Sequence, residues 1–115
     1  MVDKSDCTWA EANFLLENCK WNSAANRLYY AVFQAVYGYA LRKELIDADC
    51  ESSLHSQAGK VVRRHTKRYV SVFTTLKQMR VRADYKTEDV DASEISENLL
   101  RLANSLRQYY INYGL

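Results

Sequence analysis

Not one proline occurs in this chain of 115 residues, and glycine occurs only at Gly38, Gly59 and Gly114. A β-sandwich or barrel needs a turn every few residues, and most tight turns draw on those two residue types. A chain almost free of them runs long elements without interruption, and helices are the elements that grow long. Hydrophobic residues at 48% supply a packed core, and charged residues at 26% are too few for a disordered chain. At this length about two-thirds of the unfolded surface can be buried. A single all-α domain over residues 1–115 is therefore expected.

The strongest period lies over 22–43. Ala24, Ala25, Leu28, Val32, Ala35, Val36 and Tyr39 mark one stripe of a helix capped by Asn22. At about 100° per residue, Asn26, Tyr30, Phe33 and Tyr37 mark a second stripe on the opposite side. Such a helix needs cover on both sides, from the centre of a bundle, from a partner subunit or from both. A first helix is expected over about 5–19, with Ser5 or Asp6 as cap and Trp9, Ala12, Leu16 and Cys19 at helical spacing. Residues 44–52 have no apolar period and read as the long connection. Ser52 or Ser53 then opens a third helix with Leu54, Ala58, Val61 and Val62 inward, ending between 63 and 68. Gly59 weakens it by up to about 1 kcal/mol relative to Ala. A fourth helix over 68–85 carries Tyr69, Val72, Phe73, Leu76, Met79 and Ala83 on one face. Arg80 projects only about 40° from the centre of that face. After a break at 87–90, Asp91 and Glu94 resemble a capping pair that opens a fifth helix to about 112, with Ile95, Leu99, Leu102, Leu106 and Tyr109 inward. Five helices with short connections predict an up-and-down bundle.

Apolar stretches are interrupted well before the roughly 18 residues that a membrane span needs, and the first residues lack a signal-peptide core. A cytoplasmic protein with no membrane contact is expected. Cys7, Cys19 and Cys50 are odd in number and form no Cys-x-x-Cys pair, which reads as reduced thiols with no metal and no cofactor. Charge is segregated: Lys60, Arg63, Arg64, Lys67, Arg68, Lys77, Arg80 and Arg82 form a segment without one acid, although the whole chain carries only +2. Asp84, Glu88, Asp89, Asp91, Glu94 and Glu97 follow it, so the two blocks could pair within the fold or across a dimer. The basic block is either a solvated face or a surface turned toward phosphate.

No phosphate loop, His-Glu-x-x-His helix or Gly-x-Ser-x-Gly elbow occurs, so most familiar enzyme classes lose support. Arg80 stands out, because a guanidinium inside an apolar stripe must find hydrogen-bond partners. Asp84, one turn later, could hold it in an i, i+4 salt bridge while the arginine turns toward an anionic ligand. Arg27, followed by Tyr29 and Tyr30, is a second cation among aromatic side chains, which could stack on a base or simply pack. His55 at the start of the third helix suits a cap or a phosphate contact, and His65 within the basic block reads as solvated.

Taken together, Asn26-Arg27-Leu28-Tyr29-Tyr30-Ala31-Val32-Phe33, Leu54-His55-Ser56 and Arg80-Val81-Arg82-Ala83-Asp84-Tyr85 resemble the ordered motifs of a small prokaryotic HEPN-domain family (higher eukaryotes and prokaryotes nucleotide-binding). The likeness spans roughly 22–112. It implies a bundle of four to five helices that commonly dimerises. It also implies a toxin-like partner of a minimal nucleotidyltransferase antitoxin, and nucleotide or RNA binding. Arg27, Tyr30, Arg80, Asp84 and Tyr85 are then the binding residues. Many members are metal-independent ribonucleases with an Arg-x(4–6)-His motif at a dimer cleft. This chain departs from that motif, since Asp84 and Tyr85 follow Arg80 and no histidine lies downstream. Catalysis by Arg80 would need His55 brought in from another helix or from a second subunit. Tyr85 could instead accept a nucleotidyl group from the partner. The alternative is a non-catalytic helical dimerisation or protein-interaction module, in which the Tyr30, Phe33 and Tyr37 stripe meets another chain.

Overall fold

The computed structural model describes residues 4–45, 53–85 and 89–113. Five helices follow one another: α1 (Lys4–Glu17), α2 (Trp21–Arg42), α3 (Leu54–His65), α4 (Val70–Tyr85) and α5 (Glu97–Tyr113). Single 3-10 turns stand at Lys67–Tyr69 and Ala92–Glu94, and no strand occurs among the described residues. The chain is an all-α bundle, as the absence of breakers predicts. Most of the expected connection, from 46 to 52, lies outside the described residues together with Cys50 and the candidate cap Ser52, as do 87 and 88 of the expected break. No helix among the described residues is long and apolar enough to cross a membrane.

α2 is the axis of the bundle and packs against all four other helices. Its first stripe, from Ala24 to Val36, is buried, and Tyr29, Ala31 and Ala40 fill the space between the stripes. Burying a leucine or valine side chain such as Leu28 or Val32 contributes about 1.5–3 kcal/mol, and the alanines let neighbouring backbones come close. α1 uses that closeness. Ser5 Oγ donates to the Ala31 carbonyl at 2.6 Å and Thr8 Oγ1 to Gln34 Oε1 at 2.7 Å, so the two buried hydroxyls of α1 are satisfied by α2.

Several local expectations are corrected. Ser5 and Asp6 do not cap α1 but lie inside it, because Ser5 is drawn into the α2 contact and Asp6 pairs with Arg107 of α5. Cys19 is exposed rather than inward, and its φ of 57° ends α1 in a left-handed residue. Asn22 is likewise inside its helix. Its amide spans the bundle, donating to Asp89 Oδ1 at 2.9 Å and accepting from the Val90 amide at 2.8 Å. Ser53 stands at the N-cap of α3 without a side-chain cap bond. α3 stops at His65, where Thr66 Oγ1 donates to the Val62 carbonyl and meets Tyr110 Oη at 2.6 Å.

Asp91 and Glu94 do form a capping box, but around the 3-10 turn rather than at the start of α5. Ile95 turns inward there and breaks the helix. Ser96 Oγ then accepts from the Leu99 amide at 3.1 Å and opens α5. The buried face of α5 is centred on Ala103, Leu106 and Tyr110, rotated so that Ile95 and Leu106 of the expected stripe are buried while Leu99, Leu102 and Tyr109 are only partly so. The rotation carries Arg107 inside, where Asp6, Ser5 and Asn104 bond its guanidinium and Trp9 covers it at 5.2 Å.

Candidate functional site

The last two turns of α4 lie against the first half of α2, and the start of α3 closes over the same place. Arg80 is its centre. Its side chain is 12% exposed, with the guanidinium carbon 5.3 Å from the Tyr29 ring centre, 5.6 Å from that of Tyr30 and 5.9 Å from that of Tyr85. Nη1 lies 3.5 Å from Asp84 Oδ2 and donates to Tyr30 Oη at 3.4 Å, both long contacts. Among the described residues Nε is buried without a hydrogen-bond partner. The i, i+4 bridge foreseen in the sequence is thus present, and it leaves the arginine underused.

Asn26 extends the network. Its Nδ2 donates to both Asp84 oxygens, at 3.0 and 3.3 Å, and its Oδ1 accepts from Arg27 Nε at 2.9 Å and Nη2 at 2.6 Å. Arg27 stands 5.5 Å from the Tyr30 ring centre and 3.8 Å from Glu11 Oε2. Two guanidinium groups therefore share the Tyr30 ring, and one amide ties the carboxylate of one to the other. A groove of about 430 Å³ adjoins them, lined by Glu11, Ser23, Asn26, Arg27 and Asp84 among others.

His55 is neither a cap nor a surface side chain. Its ring stacks on Phe33 at 4.3 Å and lies 5.6 Å from Tyr29 and 5.8 Å from Tyr30. Nδ1 is 2.7 Å from Tyr29 Oη. Burial holds the imidazole below its ordinary value of 6.5, with help from the Arg80 and Lys77 charges, so it is neutral at pH 7. Burial also pushes the fully buried Tyr29 hydroxyl up to about 12, against the pull of Arg80. Among the described residues the Tyr29 oxygen has no other hydrogen-bond partner, so the arrangement that leaves no proton unbonded has the neutral tyrosine donating to Nδ1. The histidine proton then sits on Nε2, and His55 presents an N–H donor rather than a free base.

The structure thus brings together every residue singled out for the site: Arg27, Tyr30, His55, Arg80, Asp84 and Tyr85. Tyr85 is at the rim, 74% exposed. His65 belongs elsewhere, exposed and edge-on to Tyr39. Sequence reasoning missed the parts played by Asn26 and Tyr29. Asn26 reads as an interface residue and Tyr29 as a stacking neighbour, and only their place beside Arg27 and Tyr30 in one motif signals more. Among the described residues no group of three or more His, Cys, Asp or Glu side chains could hold a metal ion.

Comparison with known proteins adds one finding. The family model of the HEPN domain matches residues 2–112, which includes α1 as well as the segment that carries the motifs. Neither the curated proteins nor the solved structures gave a match. With motif order, bundle and matched length in agreement, the chain belongs to the HEPN-domain family.

Proposed function

We propose that this HEPN-domain chain binds the phosphate of a nucleotide or RNA at Arg80, as the toxin-like half of a pair with a minimal nucleotidyltransferase. The observation that carries the reading is the state of Arg80: nearly buried, laid on tyrosine rings, held at one edge by Asp84 and without a bond at Nε. Two oxygens of a phosphate match a guanidinium fork, so binding draws the Arg80 side chain outward far enough to uncover its buried Nε, and the low-dielectric surroundings strengthen the contact. Arg27 adds a second charge across Tyr30, and His55 adds a neutral donor. A second copy of the chain would cover the half-buried Phe33 and Tyr37, which stack on one another at 5.6 Å.

Binding suits these groups better than cleavage. Cleavage would run by attack of a ribose 2′-oxygen on the adjacent phosphorus, with Arg80 stabilising the charge there and His55 carrying the proton. A histidine protonated at Nε2 cannot take that proton until Tyr29 releases Nδ1. Arg80→Ala should weaken nucleotide or RNA binding by about tenfold or more while the helices persist, as loss of a charge-assisted bond implies. Calorimetric titration reads this. Equal affinity in wild type and variant would remove the proposal and leave the interaction module, and equal RNA decay would remove cleavage alone.

One observation favours a second role at the same site. Tyr85 is exposed within reach of the Arg80 charge. Its hydroxyl oxygen could attack the α-phosphorus of a nucleoside triphosphate held by the partner enzyme. An O–P bond forms, pyrophosphate leaves, and the phenolic proton goes to solvent. Mass spectrometry after coexpression should find a nucleoside monophosphate adduct that Tyr85→Phe lacks; an unmodified wild-type chain contradicts this role.

A further inference from the structure

Nine of the sixteen cations of this chain form two contrasting groups. Arg27, Arg80, Arg82 and Arg107 each face a carboxylate. Lys60, Arg63, Arg64, Lys67 and Arg68 are all exposed, and among the described residues none of them forms an ion pair. Lys60, Arg63 and Arg64 share one stripe of α3, turned away from buried Ala58, Val61 and Val62, and Lys67 and Arg68 carry the charge into the next turn. The end of a helix carries only about half a negative charge, so its dipole does not account for five cations.

Beside them lies an aromatic cluster that the Arg80 site does not use. The Arg68 guanidinium carbon stands 4.9 Å from the Tyr69 ring centre and 5.6 Å from that of Tyr109. The Tyr113 ring lies 4.6 Å from Tyr109 and is 63% exposed. Arg68 also lines a groove of about 300 Å³ between α4 and α5, whose polar walls are Ser71, Thr75, Ser96, Asn98 and Glu94, the last of these paired with Arg82.

We infer that the α3–α4 turn and the C-terminal end of α5 form a second nucleic-acid surface, where a single strand lays its phosphates on Arg63, Arg64 and Lys67 and stacks a base on Tyr113. Unpaired surface cations bind a polyanion by releasing its counterions, and a tyrosine ring open on one face accepts any base. Arg68, fixed over two rings, offers a planar fork next to that platform. An acidic protein segment would need the cations but not the exposed ring, which favours nucleic acid. Roughly 18 Å of helical rise separates Arg68 from Arg80, so this surface stands on its own observations and not on those of the Arg80 site.

The test is fluorescence anisotropy of the full chain with a labelled oligouridylate of about twelve nucleotides, within the usual span of a single-strand site. Tyr113→Ala should weaken binding about tenfold, and Tyr113→Phe should restore it, as loss and return of one stacked base imply. Replacing Arg63, Arg64 and Lys67 together by Ala should reduce the slope of log affinity against log salt by about 2. Helix content by circular dichroism should stay unchanged in each. The Tyr113→Ala loss should also persist in an Arg80→Ala background. Failure of a mononucleotide to bind the wild type would count against the Arg80 site alone. Oligouridylate affinity indifferent to Tyr113→Ala, or equally tight binding of a polyglutamate of the same charge, overturns the inference.

Discussion

Burial pulls Tyr29 and His55 toward their neutral forms while Arg80 supplies the positive charge beside them. The hydrogen bond between the two neutral groups is therefore the switch that sets which imidazole nitrogen faces a ligand. Tyr29→Phe should release the tautomer and lower stability by about 1 kcal/mol, the net worth of one hydrogen bond. Nitrogen NMR would show His55 as a single Nε2–H form in wild type and a mixture in the variant; a mixture in both contradicts the assignment. The same pair predicts a pH dependence. The folded chain resists a proton that the unfolded chain takes up near 6.5, so this contribution to stability is complete above that pH and is lost as pH falls below it. His55→Gln should flatten the acid side of a melting-temperature profile, and an unchanged profile would rule out His55 as its source. Arg80 is legible in the sequence because a cation interrupts an apolar stripe. Arg107 is not, since its partners Ser5 and Asp6 lie at the other end of the chain and no local spacing points to them.

At the level of elements, α2 reads correctly because two stripes on opposite sides permit few positions other than the middle. The ends of elements read poorly, since caps compete with tertiary contacts. Asn22 gives up a cap to hold Val90, and the capping box at Asp91 closes a turn that Ile95 ends by turning inward. The α1 and α2 termini show a cost of another kind. Lys20 and Leu45 amides reach back to the Leu15 and Ala40 carbonyls at 2.9 and 2.8 Å, a closure that places Cys19 and Glu44 in the left-handed region. Glycine is suited to both positions, so Cys19→Gly and Glu44→Gly should each raise stability by up to about 1 kcal/mol. Gly59 is the reverse case. It is helical with an ordinary φ, and an added Cβ would meet Phe73 at a comfortable 3.7 Å. Gly59→Ala should therefore stabilise α3 by up to about 1 kcal/mol. Chemical denaturation measures all three, and a loss at Gly59 would show that Phe73 cannot accommodate the methyl group.

Across the whole molecule, the opposed charge blocks of the sequence meet partly inside the fold, through Arg80 with Asp84 and Arg82 with Glu94. The Arg82 contact holds the Glu94 carboxyl below its usual range. Lys60, Arg63, Arg64, Lys67 and Arg68 stay exposed along α3 and the turn into α4, while Lys77 is half-buried within α4. The bundle thus presents two cationic places of different character, a nearly buried arginine among tyrosines and an open basic stripe beside a tyrosine platform. The first is foreshadowed by a cation inside an apolar stripe and the second by the basic block, whereas the tyrosine platform beside that block needs the α3–α4 turn to meet α5. The most direct test is NMR of arginine side chains during titration with a 5′-mononucleotide. Phosphate binding at Arg80 predicts that its Nε–H resonance moves and saturates while that of Arg107, which the protein already bonds, stays in place. An Arg80 resonance that remains still while the nucleotide binds would contradict it.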